Sequence, residues 1–197
     1  MQDDHTRQLH EYLLEAREAV RWKAEGLSEY DVRRPLTRTG TNLLGLVKHL
    51  SIVEARYFGQ TFGRPFEPHL PWWDDAAPEG ADMWATASEG REEVLQTYEA
   101  AAAHADTTIR SLGLDAPGHV SWWPRPNVTL GSVLVHVLAE TARHAGHADI
   151  LREQLDGRSG MRPTNLNQEP HDERWWADHC AHIEAAAHAL TRGEPPR

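Results

Sequence analysis

Residues 133–149 read VLVHVLAETARHAGHAD, and this stretch predicts both the fold and the chemistry of the chain. At roughly 100° per residue, a helix here places His136, Glu140, His144 and His147 within an arc of about 80°. Val133 lies in the same arc, so the polar groups share a helix face with apolar residues of the kind that form a protein core. Polar groups on such a face must be satisfied, and a divalent cation can satisfy several of them together.

Helical periodicity dominates the remainder of the sequence. Apolar residues recur at helical spacing over residues 6–26, 42–63, 86–113 and 129–156, and a further helix is expected over 172–191. Two loops rich in proline and tryptophan separate the second, third and fourth runs, and no convincing period-two pattern indicates a strand. We therefore predict an all-α, antiparallel four-helix bundle over residues 1–160. The extension 161–197 should pack its one helix on the bundle, within a single domain.

Composition excludes several classes of function. Acidic residues outnumber basic ones by 30 to 20, so the net charge of −10 disfavours binding to nucleic acid. No apolar run is long enough to span a membrane, and the acidic, polar N-terminus lacks the features of a secretory signal, so a cytoplasmic location is expected. Cys180 is the only cysteine, which leaves His, Asp and Glu as metal ligands.

A metal site needs ligands from more than one helix. Glu140 and His144 are four residues apart and can converge on one ion, but two ligands hold a metal weakly. His49 lies within the apolar run of the second long helix and is the natural third ligand in a bundle core. Spacing alone does not identify Glu140 and His144 as metal ligands, because Glu184 and His188 are also four residues apart. The alternatives to a metal site are that His49 is a core histidine and that Glu140 and His144 form a buried ion pair.

Two segments resemble a known family. Residues 35–37 together with TNLLGLVKHL at 41–50, and ETARHAGHADILR at 140–152, are similar to the DinB-like superfamily, and more narrowly to its actinobacterial mycothiol-dependent transferase branch. The resemblance covers most of residues 6–157. It implies a four-helix bundle with a long crossover connection and a divalent metal, often zinc or nickel, with zinc the expected ion here.

Matched residue by residue, the resemblance assigns His49, Glu140 and His144 as the metal ligands. Many relatives have histidine at position 140, although the maleylpyruvate isomerase branch also has glutamate. His147 falls where many relatives have glutamine, so it is a candidate for the second coordination shell or for a substitute ligand. His136 is a second candidate for that shell. The isomerase relatives have a larger C-terminal domain than the short segment after the fourth helix.

These observations predict a divalent-metal-dependent thiol S-transferase. Three protein ligands leave an open coordination position for a low-molecular-weight thiol, which the resemblance implies is mycothiol, and the product forms by attack on an electrophilic small molecule. Glu140 and His147 are the predicted catalytic groups. The predicted substrate pocket contains Trp72, Trp73, Trp122, Trp123 and Arg143.

Several alternatives remain open at this stage. The same metal site could serve a hydrolase, in which water replaces the thiol, or a non-catalytic stress or metal-binding bundle. The tryptophans could instead anchor the loops to the bundle. Arg56, Arg125 and Arg143 are candidates to receive carboxylates of a thiol cosubstrate, although arginines are more often solvated surface groups. A homodimer is expected because bundles of this kind often pair through their outer helix faces.

Overall fold

The computed structural model describes residues 4–74, 76–166 and 169–191. The chain forms two compact units, Met1–Leu166 and Asn167–Arg197. The first contains α1 (Asp4–Lys23), α2 (Glu29–Arg33), α3 (Leu43–Glu54), α4 (Arg91–Ser111) and α5 (Leu130–Asp156), with a strand pair β1 (Pro117–His119) and β2 (Asn127–Thr129). The second contains α6 (Glu173–Thr191). The prediction of an all-α bundle chain is confirmed.

The four long helices of the first unit enclose one apolar core. α1 packs chiefly on α5, and α3 packs on both α4 and α5. The fully buried side chains of this core come from every long helix, and they include Leu13, Leu46, Tyr98, Ile109 and Val133. The apolar positions recognised at helical spacing are therefore the positions that the bundle buries.

The second long helix changes its geometry towards its end. Asn42 caps α3, because its side-chain oxygen accepts a hydrogen bond from the Gly45 amide at 2.8 Å. After α3 the chain continues through a π-helical turn, Ala55–Gly59, and a 3₁₀ turn, Gln60–Phe62. Gly63 ends the run in a left-handed conformation with φ of 66°, which glycine adopts without strain.

The third long helix begins later than its sequence indicates. The pattern of Thr86 and Glu89 predicts a capping box at Thr86, but α4 begins at Arg91. The Glu89 carboxylate does accept a hydrogen bond from the Thr86 amide, at 2.7 Å, and it also pairs with Lys48 at 2.7 Å. The ion pair therefore holds Glu89 against Lys48 of α3. Residues 86–89 form a separate turn before α4.

The strand pair between α4 and α5 was not expected. β1 and β2 pair antiparallel over three residues each, with Gly118 opposite Val128. Three residues are too few for an alternating pattern to emerge from sequence. Thr129, at the end of β2, caps α5 through a capping box with Ser132, which agrees with the predicted start of the fourth long helix.

The crossover between α3 and α4 lies directly against α3. A Cβ atom at Gly45 would lie 1.8 Å from the Met83 carbonyl oxygen, so only glycine permits this approach. The buried Lys48 ammonium donates to the carbonyls of Ala81 and Trp84 at 2.8 and 2.9 Å. The segment around Asp82 is thereby fixed on α3.

The second unit is described by α6 and the residues just before it. Trp175 stacks on His171 with a centroid separation of 3.6 Å and on His179 with one of 4.8 Å. The predicted packing of this helix on the bundle, and thus the single-domain organisation, stays a prediction. None of the described helices has both the length and the hydropathy needed to cross a bilayer.

A charged cluster is buried between α1, α3 and α4. Arg17 contacts Glu54 through two hydrogen bonds of 2.7 Å, and its third contact is Asp106 at 2.7 Å. The Glu54 side chain has no solvent exposure and that of Arg17 has 7 %. Two charges in such a site depend on each other, because each would otherwise be buried unpaired.

Replacement of Arg17 by methionine should therefore destabilise the fold strongly. We expect Arg17→Met to lower the free energy of unfolding by about 3–5 kcal/mol, because Glu54 would keep a buried charge without a partner. Arg21→Met, in the same helix with 42 % of its side chain exposed, should cost less than about 1 kcal/mol. Urea unfolding of both variants measures the difference. Equal costs would contradict the burial described for this cluster.

Candidate metal centre and cavity

Three side chains from two helices converge at one point of the bundle. His49 comes from α3, while Glu140 and His144 come from α5. His144 Nε2 lies 3.1 Å from Glu140 Oε1, and His49 Nε2 lies 3.8 Å from the same oxygen. Ligand atoms from all three residues lie within 4.8 Å of one another. The part of the chain that the structure describes contains no other such group of three His, Cys, Asp or Glu side chains.

Each member reaches this point for a local reason. Glu140 and His144 are one turn apart on α5, so their side chains extend from the same face of that helix. His49 is the partly exposed member of an α3 stretch whose neighbours Lys48 and Leu50 are buried. The two imidazole rings meet edge to face at 5.0 Å and 68°, which directs both Nε2 atoms towards Glu140.

The electrostatics favour neutral imidazole at His144. Burial, reinforced by the neighbouring His49, lowers the pKa of His144 below its ordinary value. A neutral ring keeps a lone pair free, which is the form that binds a metal ion. Two imidazoles and one carboxylate are a donor set found in catalytic zinc sites, and it also suits nickel. The residues present therefore fit a divalent cation.

Asp82 is a member of the site that the sequence did not indicate. Its carboxylate accepts a hydrogen bond from His49 Nδ1 at 2.7 Å. This hydrogen bond lowers the pKa of Asp82, so the carboxylate stays ionised. A carboxylate behind a ligand histidine fixes the ring orientation and directs the other nitrogen to the metal. Asp82 lies on the crossover, and only the packing of that segment on α3 brings it to His49.

A cavity of about 520 Å³ opens beside the three residues. Its volume lies within the range of small-molecule sites. His49, Glu140 and Asp82 form one part of its lining, and Ile52, Val53 and Tyr57 continue the α3 side. The remaining lining includes the aromatic rings of Trp72, Trp73, Trp122 and His136, together with the charged Arg56 and Asp74. Three of the four tryptophans predicted for the pocket thus line it.

The other predicted pocket and coordination-shell residues lie at different distances from this cavity. Trp123 stands behind the wall, where its indole N–H donates to the Tyr57 hydroxyl at 3.2 Å. His136 packs against the rings of both Tyr57 and Trp123, with centroid separations of 4.8 Å. Arg143 is exposed and is not among the residues lining the cavity.

His147 contacts the cluster but does not line this cavity. Its Nδ1 lies 3.4 Å from His144 Nδ1, on the side of His144 away from Glu140. It also lines a separate cavity of about 340 Å³ together with Ile150 and Leu151. A catalytic role for His147 would therefore have to act through His144. Its position beside a candidate ligand is the one expected of a coordination-shell residue.

Fold and site together define a class of protein, a helical bundle with a His–Glu–His cluster beside one cavity. A family model described as mycothiol-S-transferase matches residues 8–157. The chain belongs to the mycothiol-S-transferase family, which confirms the resemblance seen in its sequence. Among the curated proteins, no match to the chain was found.

The contact between His49 and Asp82 predicts which ring nitrogen of His49 carries the proton, and this can be tested by spectroscopy. At pH 8, in protein treated with EDTA, we expect His49 to carry its proton on Nδ1, because the ionised Asp82 carboxylate accepts from that atom. Asp82→Ala should remove this preference and shift the ring towards the Nε2–H tautomer. Nitrogen chemical shifts from long-range ¹H–¹⁵N spectra distinguish the two forms.

Asp74→Ala is the matched control for this experiment. Asp74 lines the same cavity, but its carboxylate faces His69 at 3.2 Å. The spectrum of His49 should therefore be unchanged in that variant. A Nε2–H tautomer for His49 in the parent protein would contradict the geometry described here.

Proposed function

We propose that this protein is a divalent-metal-dependent thiol S-transferase that uses mycothiol and attacks an electrophilic small molecule. The convergence of His49, Glu140 and His144 beside a cavity of about 520 Å³ carries the proposal. Membership of the mycothiol-S-transferase family supports mycothiol as the cosubstrate. His49, Glu140 and His144 would hold the ion, for which zinc and nickel are the candidates.

The ion would supply Lewis acidity that lowers the pKa of a thiol at an open coordination position, so that thiolate is available at neutral pH. The other tasks fall to the protein. Asp82 fixes the orientation of His49 and His147 that of His144. The indole rings of Trp72, Trp73 and Trp122 form an aromatic part of the cavity wall, which suits an organic electrophile.

The transfer itself requires no redox partner. The thiolate sulfur forms a bond to the electrophilic carbon, and the leaving group departs with the pair of electrons that bound it. An activated alkene has no leaving group. There the π-electron pair of the double bond moves to the adjacent carbon, and a proton is added to that carbon. The proton of the thiol is released to solvent. The product in either case is a thioether of mycothiol.

Metal content tests the ligand set. In protein purified without an affinity tag, we expect His49→Ala and His144→Ala each to reduce bound zinc or nickel to about a tenth of the parent value or less, because loss of a ligand costs more than the tenfold typical of an outer partner. Elemental analysis after gel filtration measures this. A parent protein that retains no divalent metal would contradict the proposal.

His188→Ala is the matched control. His188 is four residues after Glu184 in α6 and contacts it at 3.0 Å, but both side chains are largely exposed. It reproduces the local arrangement of Glu140 and His144 without the contribution of His49. Its removal should leave the metal content at the parent level.

Thiol dependence tests the reaction. We expect metal-loaded protein to consume members of a panel of alkyl halides, epoxides and activated alkenes only when mycothiol is present, and we expect His144→Ala to lower the rate at least about a hundredfold. Mass spectrometry of the thioether product gives the readout. Turnover of esters or amides without thiol would favour the hydrolase alternative. Absence of any turnover across the panel would favour the non-catalytic binding alternative.

A further inference from the structure

Among the described residues that line the site cavity, Arg56 is the only arginine or lysine. It lies in the π-helical turn that follows α3, next to Tyr57. Its Nε atom is shielded from solvent and has no hydrogen-bond partner. Over the described residues, no carboxylate forms an ion pair with it. Arg56 is half-buried, and among the described residues nothing compensates the desolvation of its shielded Nε–H donor.

The fully buried arginines and lysines of the described chain differ from half-buried Arg56 in this respect. Each has a carboxylate within 3 Å, and the pairs are Arg17 with Glu54, Lys23 with Asp149, Lys48 with Glu89, and Arg152 with Asp156. The carboxylates of the cavity itself already have partners. Asp74 faces His69, Asp82 faces His49 and Glu140 faces His144. Among the described residues that line the cavity, no carboxylate is therefore paired with Arg56.

Two indole rings hold the guanidinium in place. Its central carbon lies 4.0 Å from the ring centroid of Trp73 and 3.6 Å from that of Trp122. Such contacts stabilise the cation and fix its plane without consuming its N–H donors. Burial lowers the pKa of Arg56, but a guanidinium stays charged throughout the physiological range. The side chain is thus a fixed cation with free donors.

We propose that Arg56 binds a carboxylate of the electrophilic substrate, so that the substrate is an organic acid with its reactive carbon towards His49 and Glu140. A fixed guanidinium with free donors matches a planar carboxylate through two parallel hydrogen bonds. This inference rests on the proposed function. Mycothiol has hydroxyl groups and two amides but no carboxylate. The expectation that Arg56 receives a carboxylate of the thiol therefore does not apply to mycothiol, and the anion belongs to the second substrate.

Calorimetric titration with benzoate tests the subsite, because benzoate combines a carboxylate with a ring that fits an aromatic wall. Benzamide, of the same shape without charge, is the comparison ligand. The full chain is titrated both metal-loaded and after EDTA treatment. We expect benzoate to bind at least about tenfold more tightly than benzamide in both states, as a charged hydrogen-bonded pair implies.

Substitutions at Arg56 assign the binding to this residue. Arg56→Gln should weaken benzoate binding at least about tenfold and leave benzamide binding unchanged. Arg56→Lys keeps the charge but loses the planar donor pair. Its affinity for benzoate should lie between those of the parent protein and Arg56→Gln. Arg143→Gln is the matched control, because Arg143 is exposed and does not line the cavity. Unchanged benzoate binding in both Arg56 variants would overturn the proposal. So would benzoate binding that EDTA abolishes, because the carboxylate would then be bound by the ion.

A second pair of variants locates the bound acid. Arg56 also borders a neighbouring cavity of about 540 Å³, which Gln60 lines and Ala77 does not. Ala77→Phe narrows the site cavity and should weaken benzoate binding, whereas Gln60→Phe should not. The reverse pattern would overturn the placement beside His49. Benzoate binding needs no thiol or turnover, so loss of the transferase reaction alone would leave this result standing.

Discussion

The close contact between the crossover segment and α3 is the constraint on which the site depends. Gly45 permits the Met83 carbonyl to approach the helix, and buried Lys48 holds the segment through two carbonyls. This contact brings Asp82 to His49. It also places Trp72 within 4.7 Å of the Lys48 ammonium. A bundle alone would supply the three candidate ligands, but the crossover orients one of them and closes the cavity around them.

Charge is distributed unevenly over this structure, and the distribution separates structural from functional groups. Arg17 and Lys48 are buried with carboxylate partners, so their charges hold helices and loops together. His144 is shielded beside Glu140, whereas His49 is partly exposed and lines the open cavity, which leaves it available to a ligand. Arg56 shares that position. Burial with a carboxylate partner therefore characterises the charges that hold helices and loops together, whereas the charged groups lining the cavity are partly exposed.

The sequence predicted the parts of the site that follow from helix geometry. Glu140 and His144 share a face of α5 because of their spacing, and His49 was found because a histidine in an apolar run must have a partner. Asp82 was missed because its approach depends on a packed crossover, for which the sequence contains no periodic signal. The same limit applies to the start of α4, where Lys48 takes the carboxylate that a helix cap would use. Arg143 was expected in the pocket as a candidate to receive a carboxylate of the thiol cosubstrate, but its side chain is exposed and does not line the cavity.

The π-helical turn at Ala55–Gly59 divides one continuous helical run into two parts with different rotations about the axis. A wider turn of this kind corresponds to one inserted residue, which rotates all later positions by roughly 100° relative to an uninterrupted helix. His49 lies before the insertion, whereas Arg56 and Tyr57 lie within it. The face that presents His49 therefore keeps the register of α3, whereas the turn sets its own angle for Arg56 and Tyr57 towards the cavity.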